Sequence, residues 1–249
     1  MAKTLLGNAD FSHVPGKADY MDTTVQVVNQ LGEHLEVLDV PAGNGYVVDQ
    51  LNALGHKAIG GDINDERDNY VVVDMEKRFP FEDCSLDAVT CLEGIEHVLD
   101  GYHVLSEMSR VVKPGGLIVI STPNTMNLYS RLWYFLYGYP YQFPPCSSQH
   151  LKDKPIDRGH INPISYLRIR FLIESLGLEV LELHGDRKKK KHLTPFLFPV
   201  FLFGWMLGYK HRKKDQIDEA ERMFSISQDL KSPALLFSRS IIVVAKKPI

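Results

Sequence analysis

The sequence predicts an α/β domain in which helices cover both faces of a mostly parallel sheet. Between residues 33 and 183, short runs rich in β-branched residues alternate with helical patterns, which is typical of successive βαβ units. The chain has 249 residues, 44% hydrophobic and 24% charged, a composition that suits a globular protein with its own core. We therefore expect a single domain over residues 1–249.

The β-branched runs set the expected order of strands and helices. They predict strands at residues 36–40, 57–61, 70–73, 86–92, 117–121 and 178–184, and a seventh from Ser238 onward. Helical patterns predict helices at residues 20–31, 46–54, 102–112 and 164–176, the last with Asn162 as N-cap and Pro163 at its first position. The Lys-Pro-Gly-Gly run at 113–116 is expected to end a helix and turn into a strand.

Two insertions interrupt this alternation and are predicted to form caps over the carboxyl ends of the strands. Residues 124–162 hold eight aromatic residues between Tyr129 and Phe143, and we expect them on the substrate side. Residues 185–235 combine a basic run, an apolar stretch and an acidic amphipathic piece before the last strand.

The cysteine pattern and the N-terminal residues are typical of a cytoplasmic protein. Cys84, Cys91 and Cys146 form no CxxC pair and leave an odd number for bridging, which is typical of reduced thiols in a cytoplasm. The first ten residues are too polar for the apolar core of a signal peptide. We expect a cytoplasmic protein, and the sequence predicts no metal site.

The loop after the first predicted strand has the features of a ligand site. Gly43 and Gly45 allow close approach of the backbone to a ligand at the carboxyl end of the sheet, although a plain turn into a helix uses the same residues. Asp39, Asp62 and Asp74 mark the ends of three successive strands. A carboxylate at the end of the second strand can accept both hydroxyls of a ribose, or it can cap a loop.

The same loop argues against a dinucleotide. The fingerprint GxGxxG has a third glycine where this chain has Val48, so the close helix approach that accommodates a pyrophosphate is missing. An NAD(P)-dependent oxidoreductase is therefore the least favoured class.

Five motifs in order resemble the class I S-adenosylmethionine-dependent methyltransferases. They are VLDVPAGNG (37–45), GGDI (60–63), VDME (73–76), LDAVTCLEGIEHV (86–98) and RVVKPGGLIVISTPN (110–124). The resemblance covers about residues 20–184 and the last strand, and is nearest to the subgroup acting on small molecules and on quinone, lipid or surface-glycan precursors. It implies a Rossmann-like seven-stranded sheet, mostly parallel with the last strand antiparallel, and S-adenosyl-L-methionine as cofactor.

The resemblance also implies roles for the residues that match its motifs. Asp39 and the backbone of Ala42 and Gly43 would face the methionine part of the cofactor, with Gly45 in the same loop. The remaining implied contacts are Asp62 with the ribose hydroxyls, Ile63 and Met75 with the adenine faces, Asp74 with the adenine amino group, and Leu92 and Glu93 beyond strand four. Pro41 stands where family members commonly have glycine, so the path of the loop is open.

Methyl transfer to oxygen is the chemistry that the motifs favour. The Asn/Asp-Pro-Pro-Tyr-like run of many amino-group methyltransferases is absent after strand four, and neither Cys91 nor Cys146 suits a base-methylating nucleophile. A hydroxyl acceptor needs a group that removes its proton, for which the candidates are Glu93, Glu96, His97, His150 and His160. We favour His160, His97 and Glu96 as catalytic residues. His97 can instead fix its loop by a hydrogen bond, and His160 can instead cap a helix or lie at the surface.

The segment 187–214 carries a strong positive charge, whereas the rest of the chain is acidic. It holds nine of the 28 Lys and Arg and none of the 31 Asp and Glu, while the chain as a whole carries a net charge of −3. Its uncharged core of seventeen residues, Leu193 to Tyr209, is short for a membrane span and is flanked by basic residues on both sides. Contact with an anionic membrane surface, a lid or dimer face, and nucleic-acid binding remain open, the last being unlikely for an acidic host domain. A small molecule is the expected acceptor, and a non-catalytic cofactor-binding adaptor is the alternative function.

Overall fold

The computed structural model describes residues 16–63, 67, 70–146, 159–188, 195–199, 201–203 and 220–249. The seven strands are β1 (Glu36–Asp39), β2 (Lys57–Asp62), β3 (Tyr70–Val72), β4 (Leu86–Leu92), β5 (Val112–Pro123), β6 (Glu179–Gly185) and β7 (Ser240–Lys246). The helices are α1 (Asp19–Asn29), α2 (Tyr46–Ala53), α3 (Gly101–Val111), α4 (Leu128–Tyr137), α5 (Tyr166–Ser175), α6 (Ala220–Asp229) and α7 (Pro233–Phe237). A 3₁₀ turn covers Ile95–His97, and residues 195–199 and 201–203 are also helical.

All seven strands form one sheet in the order β3-β2-β1-β4-β5-β7-β6. β7 pairs antiparallel with both β5 and β6, whereas the other neighbouring strands are parallel. The predicted Rossmann-like sheet with an antiparallel last strand is therefore confirmed.

Helices pack on both faces because successive residues of the buried strands point to opposite sides. Val37 and Val119 face α1 and α2, where Val48 is fully buried. Leu38 and Ile118 face the opposite layer, which includes α3 and α5. Burial on both faces explains why the central strands are continuous apolar runs instead of alternating ones.

Two predicted element boundaries are wrong. Asn162 does not cap α5; the helix begins at Tyr166, and the Oγ of Ser165 accepts a hydrogen bond from the backbone N of Arg168. The Lys-Pro-Gly-Gly run does not lie between α3 and β5, because strand pairing already begins at Val112. Gly116 lies so close to β4 that an added Cβ would be 2.5 Å from the carbonyl oxygen of Asp87.

Two asparagines join the ends of the two insertions. The side-chain amide of Asn124, just after β5, donates to the carbonyls of Ala234, Leu235 and Ser238. The amide of Asn127 also donates to the carbonyl of Ser238. Both insertions therefore meet the sheet at the same end, where β5 ends and β7 begins. Their role as caps stays a prediction.

Some predictions fall on residues outside the described ranges. These are His150 as a candidate base and, within the segment 187–214, residues 189–194, 200 and 204–214. In the described part of the chain, no helix combines the length and the apolar character needed to cross a membrane.

Candidate cofactor and acceptor site

The loop between β1 and α2 is held to the end of β2 by hydrogen bonds. The backbone N of Gly43 donates to the Oδ2 of Asp62 at 3.1 Å, and the N of Ala42 donates to the carbonyl of Gly61 at 2.9 Å. The hydroxyl of Tyr70 donates to the carbonyl of Gly43 at 2.9 Å. Thus Asp62 lies directly beside the glycine loop, as a residue that binds a ribose there would.

Glycine suits this loop because of its backbone conformation. Gly43 and Gly45 have φ values of +52° and +78°, which side-chain-bearing residues adopt at a cost. A Cβ on Gly45 would also overlap the guanidinium of Arg67, which donates to the carbonyl of Asn44 at 2.8 Å.

Pro41 packs against Gly94 in the loop after β4. Its ring occupies the space that a side chain at Gly94 would need, since a Cβ there would lie 2.3 Å from the Cδ of Pro41. The Val40–Pro41 peptide bond is cis. The loop after β1 and the loop after β4 are therefore packed directly against each other.

Asp39 is buried at the end of β1. Its Oδ1 accepts a hydrogen bond of 2.5 Å from the Oγ1 of Thr90 on β4. Burial is the main cause that raises the pKa of Asp39 to about 7; the negative charge of Asp62 adds to it, and the bond from Thr90 opposes it.

The Asp39 carboxyl predicts a pH-dependent stability. Its pKa is raised in the folded state, so its contribution is present below its ordinary pKa near 3.8 and is lost as pH rises toward 7. Asp39→Asn should therefore unfold at a higher temperature than the wild type at pH 8, with a free-energy gain of at most about 4 kcal/mol. Thermal denaturation of both proteins between pH 4 and 8 tests this. A difference that does not grow over that range would contradict it.

The three residues expected at the adenine lie near the carboxyl ends of β2 and β3, and two of them are partly buried apolar side chains, Ile63 and Met75. The carboxylate of Asp74 caps a turn, because its Oδ1 accepts from the backbone N of Glu76 and its Oδ2 pairs with Lys77 at 3.0 Å. These contacts of Asp74 are those of the loop-capping alternative.

Glu93 follows β4 in a left-handed conformation, with φ of +49°. Its backbone N donates to the carbonyl of Ser121 on β5, and its Oε1 accepts from the Oγ of the same serine at 3.2 Å. Burial raises the pKa of Glu93, while the nearby Arg239 lowers it. Leu92, one residue before, is buried in the α1–α2 layer.

Glu96 is fully buried in the 3₁₀ turn beyond Glu93. Its Oε2 accepts a hydrogen bond of 3.1 Å from the Oγ1 of Thr122, and its Oε1 has no hydrogen-bond partner among the described residues. Burial, followed by the charge of Glu93, raises the pKa of Glu96 well above its usual range.

The structure brings the three favoured catalytic residues together. The rings of His97 and His160 meet edge to face with centroids 4.9 Å apart. The backbone N atoms of Ile161 and Asn162 donate to the carbonyl of Glu96, which holds the segment before α5 against the loop after β4. Ligand atoms of Glu96, His97 and His160 all lie within 4.8 Å of one another.

Sequence reasoning missed two residues that face these carboxylates. Tyr20 of α1 is buried, and its pKa is raised by burial and then by the charge of Glu93. Arg239, just before β7, is the cation whose charge acts on Glu93, Glu96 and Asp186. Neither lies in a motif, and only the packing of the chain ends onto the sheet brings them here.

Comparison with known proteins agrees with the fold. Residues 38–120 match the family model of a methyltransferase domain. A protein of Mycolicibacterium smegmatis, assigned as an S-adenosylmethionine-dependent methyltransferase, is 28% identical over 187 residues, 69% of this chain and 65% of that protein. A ubiquinone biosynthesis O-methyltransferase of Colwellia psychrerythraea is 33% identical over 104 residues, 36% of this chain and 42% of that protein. The chain thus spans less than two thirds of either relative.

Solved structures share the whole sheet architecture. An S-adenosylmethionine-dependent methyltransferase from Mesorhizobium loti has a TM-score of 0.54 at 12% identity, with 93% of this chain and 98% of that chain covered. The [4+2]-cyclase SpnF has a TM-score of 0.52 at 16% identity, with 93% and 81% covered. At these identities the likeness shows the fold alone.

The fold, with its glycine loop and the acid at the end of β2, defines a Rossmann-like protein of the methyltransferase type. Residues 38–120 match a methyltransferase domain, and the chain is similar to S-adenosylmethionine-dependent methyltransferases, in agreement with the family that its motifs resemble. The cofactor of that family is S-adenosyl-L-methionine.

Proposed function

We propose that this protein transfers the methyl group of S-adenosylmethionine to an oxygen atom of a small, lipophilic or lipid-linked molecule. The observation that carries the proposal is the cluster of Glu96, His97 and His160, which follows the β4 end where the family binds its cofactor. The name of the Colwellia relative, an O-methyltransferase of ubiquinone biosynthesis, supports oxygen and a small lipophilic acceptor.

For the cofactor we propose the contacts that the motifs imply. We propose that Asp62 binds the ribose, that Asp39 and the loop of Ala42, Gly43 and Gly45 face the methionine part, and that Leu92 and Glu93 line the cofactor beyond β4. The bond from Gly43 N to Asp62 supports this, since it places loop and acid side by side. The adenine would lie between Ile63 and Met75, with its amino group toward Asp74.

Methyl transfer from a sulfonium is an in-line displacement. The acceptor oxygen forms a bond to the methyl carbon, and the carbon–sulfur bond breaks with its electron pair on sulfur. Alignment of the reactants in a dry cavity contributes about 7 to 11 kcal/mol to such reactions. The hydroxyl must also lose its proton, and we propose that the cluster with His160 activates the oxygen for this step.

The direct test is transfer of an isotopically labelled methyl group. Purified protein with methyl-labelled cofactor should produce S-adenosylhomocysteine only when a lipophilic hydroxylated acceptor fraction is added, and mass spectrometry should find the label on oxygen. Label on nitrogen or carbon would contradict the proposal. The non-catalytic adaptor alternative predicts tight cofactor binding with no turnover on any fraction. A fluorescence change with NAD(P)H would instead favour the oxidoreductase class.

An exposed apolar patch supports contact with an anionic membrane surface. On α4, Phe135 is 85% exposed and Tyr134 58%, and among the helical residues 195–199 Phe196 is 75% exposed. The guanidinium of Arg131 on α4 lies 5.1 Å from the ring centroid of Phe201, so the two segments adjoin. The basic run of segment 187–214 adjoins this patch in sequence and suits acidic headgroups.

Flotation with vesicles tests this second proposal. The protein should float with vesicles of anionic phospholipid at low salt, and less with neutral ones or at high salt. Phe135→Ser with Phe196→Ser should weaken flotation, whereas Phe171→Ser, an exposed aromatic on α5, should not. The membrane proposal is wrong if the protein floats equally with neutral and anionic vesicles or does not float at low salt. It is also wrong if the protein forms a dimer that depends on these aromatic residues and does not bind vesicles.

A further inference from the structure

We propose that Glu96, His97 and His160 bind one divalent transition-metal cation of the zinc class. Within the part of the chain that the structure describes, one oxygen of Glu96 and one nitrogen of each ring lie within 4.8 Å of one another. Ligand atoms around a zinc-sized ion at ~2.1 Å are themselves about 3.0 to 3.5 Å apart. Small rotations of the three side chains would therefore close them around an ion.

The strongest support is the unpartnered oxygen of Glu96. The side chain is 0% exposed, and Oε1 has no hydrogen-bond partner among the described residues. A buried polar atom without a partner is costly. Protonation does not remove the cost, because a buried O–H on that oxygen would then lack an acceptor. A cation on Oε1 satisfies the atom, while Thr122 holds Oε2 in place.

His160 is already oriented as metal-binding histidines are. Its Nδ1 lies 2.8 Å from the carbonyl oxygen of Gln142. A carbonyl only accepts, so Nδ1 carries a ring proton, and in the neutral imidazole the lone pair is on Nε2. A backbone carbonyl on the far nitrogen is the usual outer contact that fixes a ligating imidazole. Phe143, with its ring centroid 5.3 Å from that of His160, packs beside the same ring.

The two chain segments that supply the ligands are clamped to each other. The N atoms of Ile161 and Asn162 both donate to the carbonyl of Glu96, at 3.1 and 3.0 Å. His97 lies in the 3₁₀ turn next to Glu96, and its backbone N donates to the carbonyl of Gly94. These backbone bonds hold the segment of His160 against the turn of Glu96 and His97.

The donor set selects the kind of cation. Two imidazoles and one carboxylate suit zinc and neighbouring transition metals, whereas magnesium and calcium prefer oxygen. Three protein ligands leave at least one position open, as in catalytic sites. Arg239, whose charge acts on Glu93 and Glu96, is the competing cation, but among the described residues it makes no hydrogen bond to Oε1 of Glu96.

What the cation does in catalysis rests on the proposed function. An acceptor hydroxyl in the open position would lose its proton to water, because a bound cation lowers the pKa of a coordinated hydroxyl. The resulting oxyanion forms the bond to the methyl carbon, and sulfur leaves as a neutral thioether. Both histidines then act as ligands, so neither has to accept the proton.

The test is titration of the chelator-treated full chain with zinc chloride by calorimetry, and with cobalt chloride by visible absorption. We expect one ion per chain. Glu96→Gln, which keeps the shape and the bond from Thr122, and His160→Ala should each weaken binding at least tenfold. His184→Ala is the matched control, since His184 forms a surface pair with Glu182 outside the cluster and its loss should change nothing.

The outcomes separate the cation from the methyl transfer. Absence of saturable binding overturns the cation site, as does equal binding by Glu96→Gln, provided that circular dichroism shows each variant folded. Should a variant unfold, His97→Gln takes its place and must show the same loss. If the ion binds but no oxygen acceptor is methylated, the proposed function is wrong and the cation site stands. If methyl transfer is unaffected by a chelator and no ion binds, the cation site is wrong and the proposed function stands.

Discussion

His160→Ala is expected to lower turnover by about 10² to 10⁴, the usual contribution of a group that activates a nucleophile. Affinity for S-adenosylmethionine should change little, since His160 lies in the segment before α5 and not in the loop after β1. The same direction is expected whether the ring acts on the acceptor itself or through a cation. Turnover and cofactor affinity measured on the same preparation test the prediction.

A second variant separates chemistry from positioning. In His160→Asn the amide nitrogen reaches the place of Nδ1 and can still donate to the carbonyl of Gln142, while Nε2 is removed. If His160 only fixes its loop, the asparagine variant should recover turnover. If both variants keep wild-type turnover, His160 has no role in the reaction.

Asp62→Ala is expected to weaken binding of S-adenosylmethionine about 10²- to 10⁴-fold, because a carboxylate that accepts two ribose hydroxyls contributes about 1.5 to 3 kcal/mol for each bond. The same change also removes the bond from the backbone N of Gly43. Calorimetric titration of the cofactor measures the loss.

Tyr70→Phe is the matched control for this prediction. It removes a different side-chain bond to the glycine loop, from the Tyr70 hydroxyl to the carbonyl of Gly43, and leaves Asp62 in place. A much smaller loss in Tyr70→Phe is expected. An equal loss in both variants would mean that Asp62 serves only to hold the loop.

The sequence predicted the sheet well because its strands are continuous apolar runs buried on both faces. The strand at 86–92 is found where it was expected, and the other strands differ at their ends. The errors arise where local patterns compete. Pro163 suits a first helical position, yet the backbone of Ile161 and Asn162 bonds to the carbonyl of Glu96, which delays the start of α5 to Tyr166.

The site was predictable as far as its residues lie in motifs. Asp62 beside Gly43 follows from strand order alone, because parallel strands end at one edge. The pairing of Glu96 with Thr122, 26 residues apart, and of His160 with Gln142, 18 apart, depends on contacts between segments distant in the chain. No local pattern encodes those contacts, and the same holds for Arg239 at the entry to β7.

The contact of Pro41 with Gly94 couples the two halves of the site. The space that a side chain at Gly94 would fill is taken by the proline ring, so neither loop can shift toward the other. We therefore expect a ligand that displaces the loop after β1 to displace the loop that carries Glu96 and His97 as well. Such coupling is reciprocal: if the cofactor strengthens binding of the acceptor, the acceptor strengthens binding of the cofactor by the same factor. Under the proposed function, the contact of Pro41 with Gly94 would therefore couple the binding of the cofactor to the binding of the acceptor.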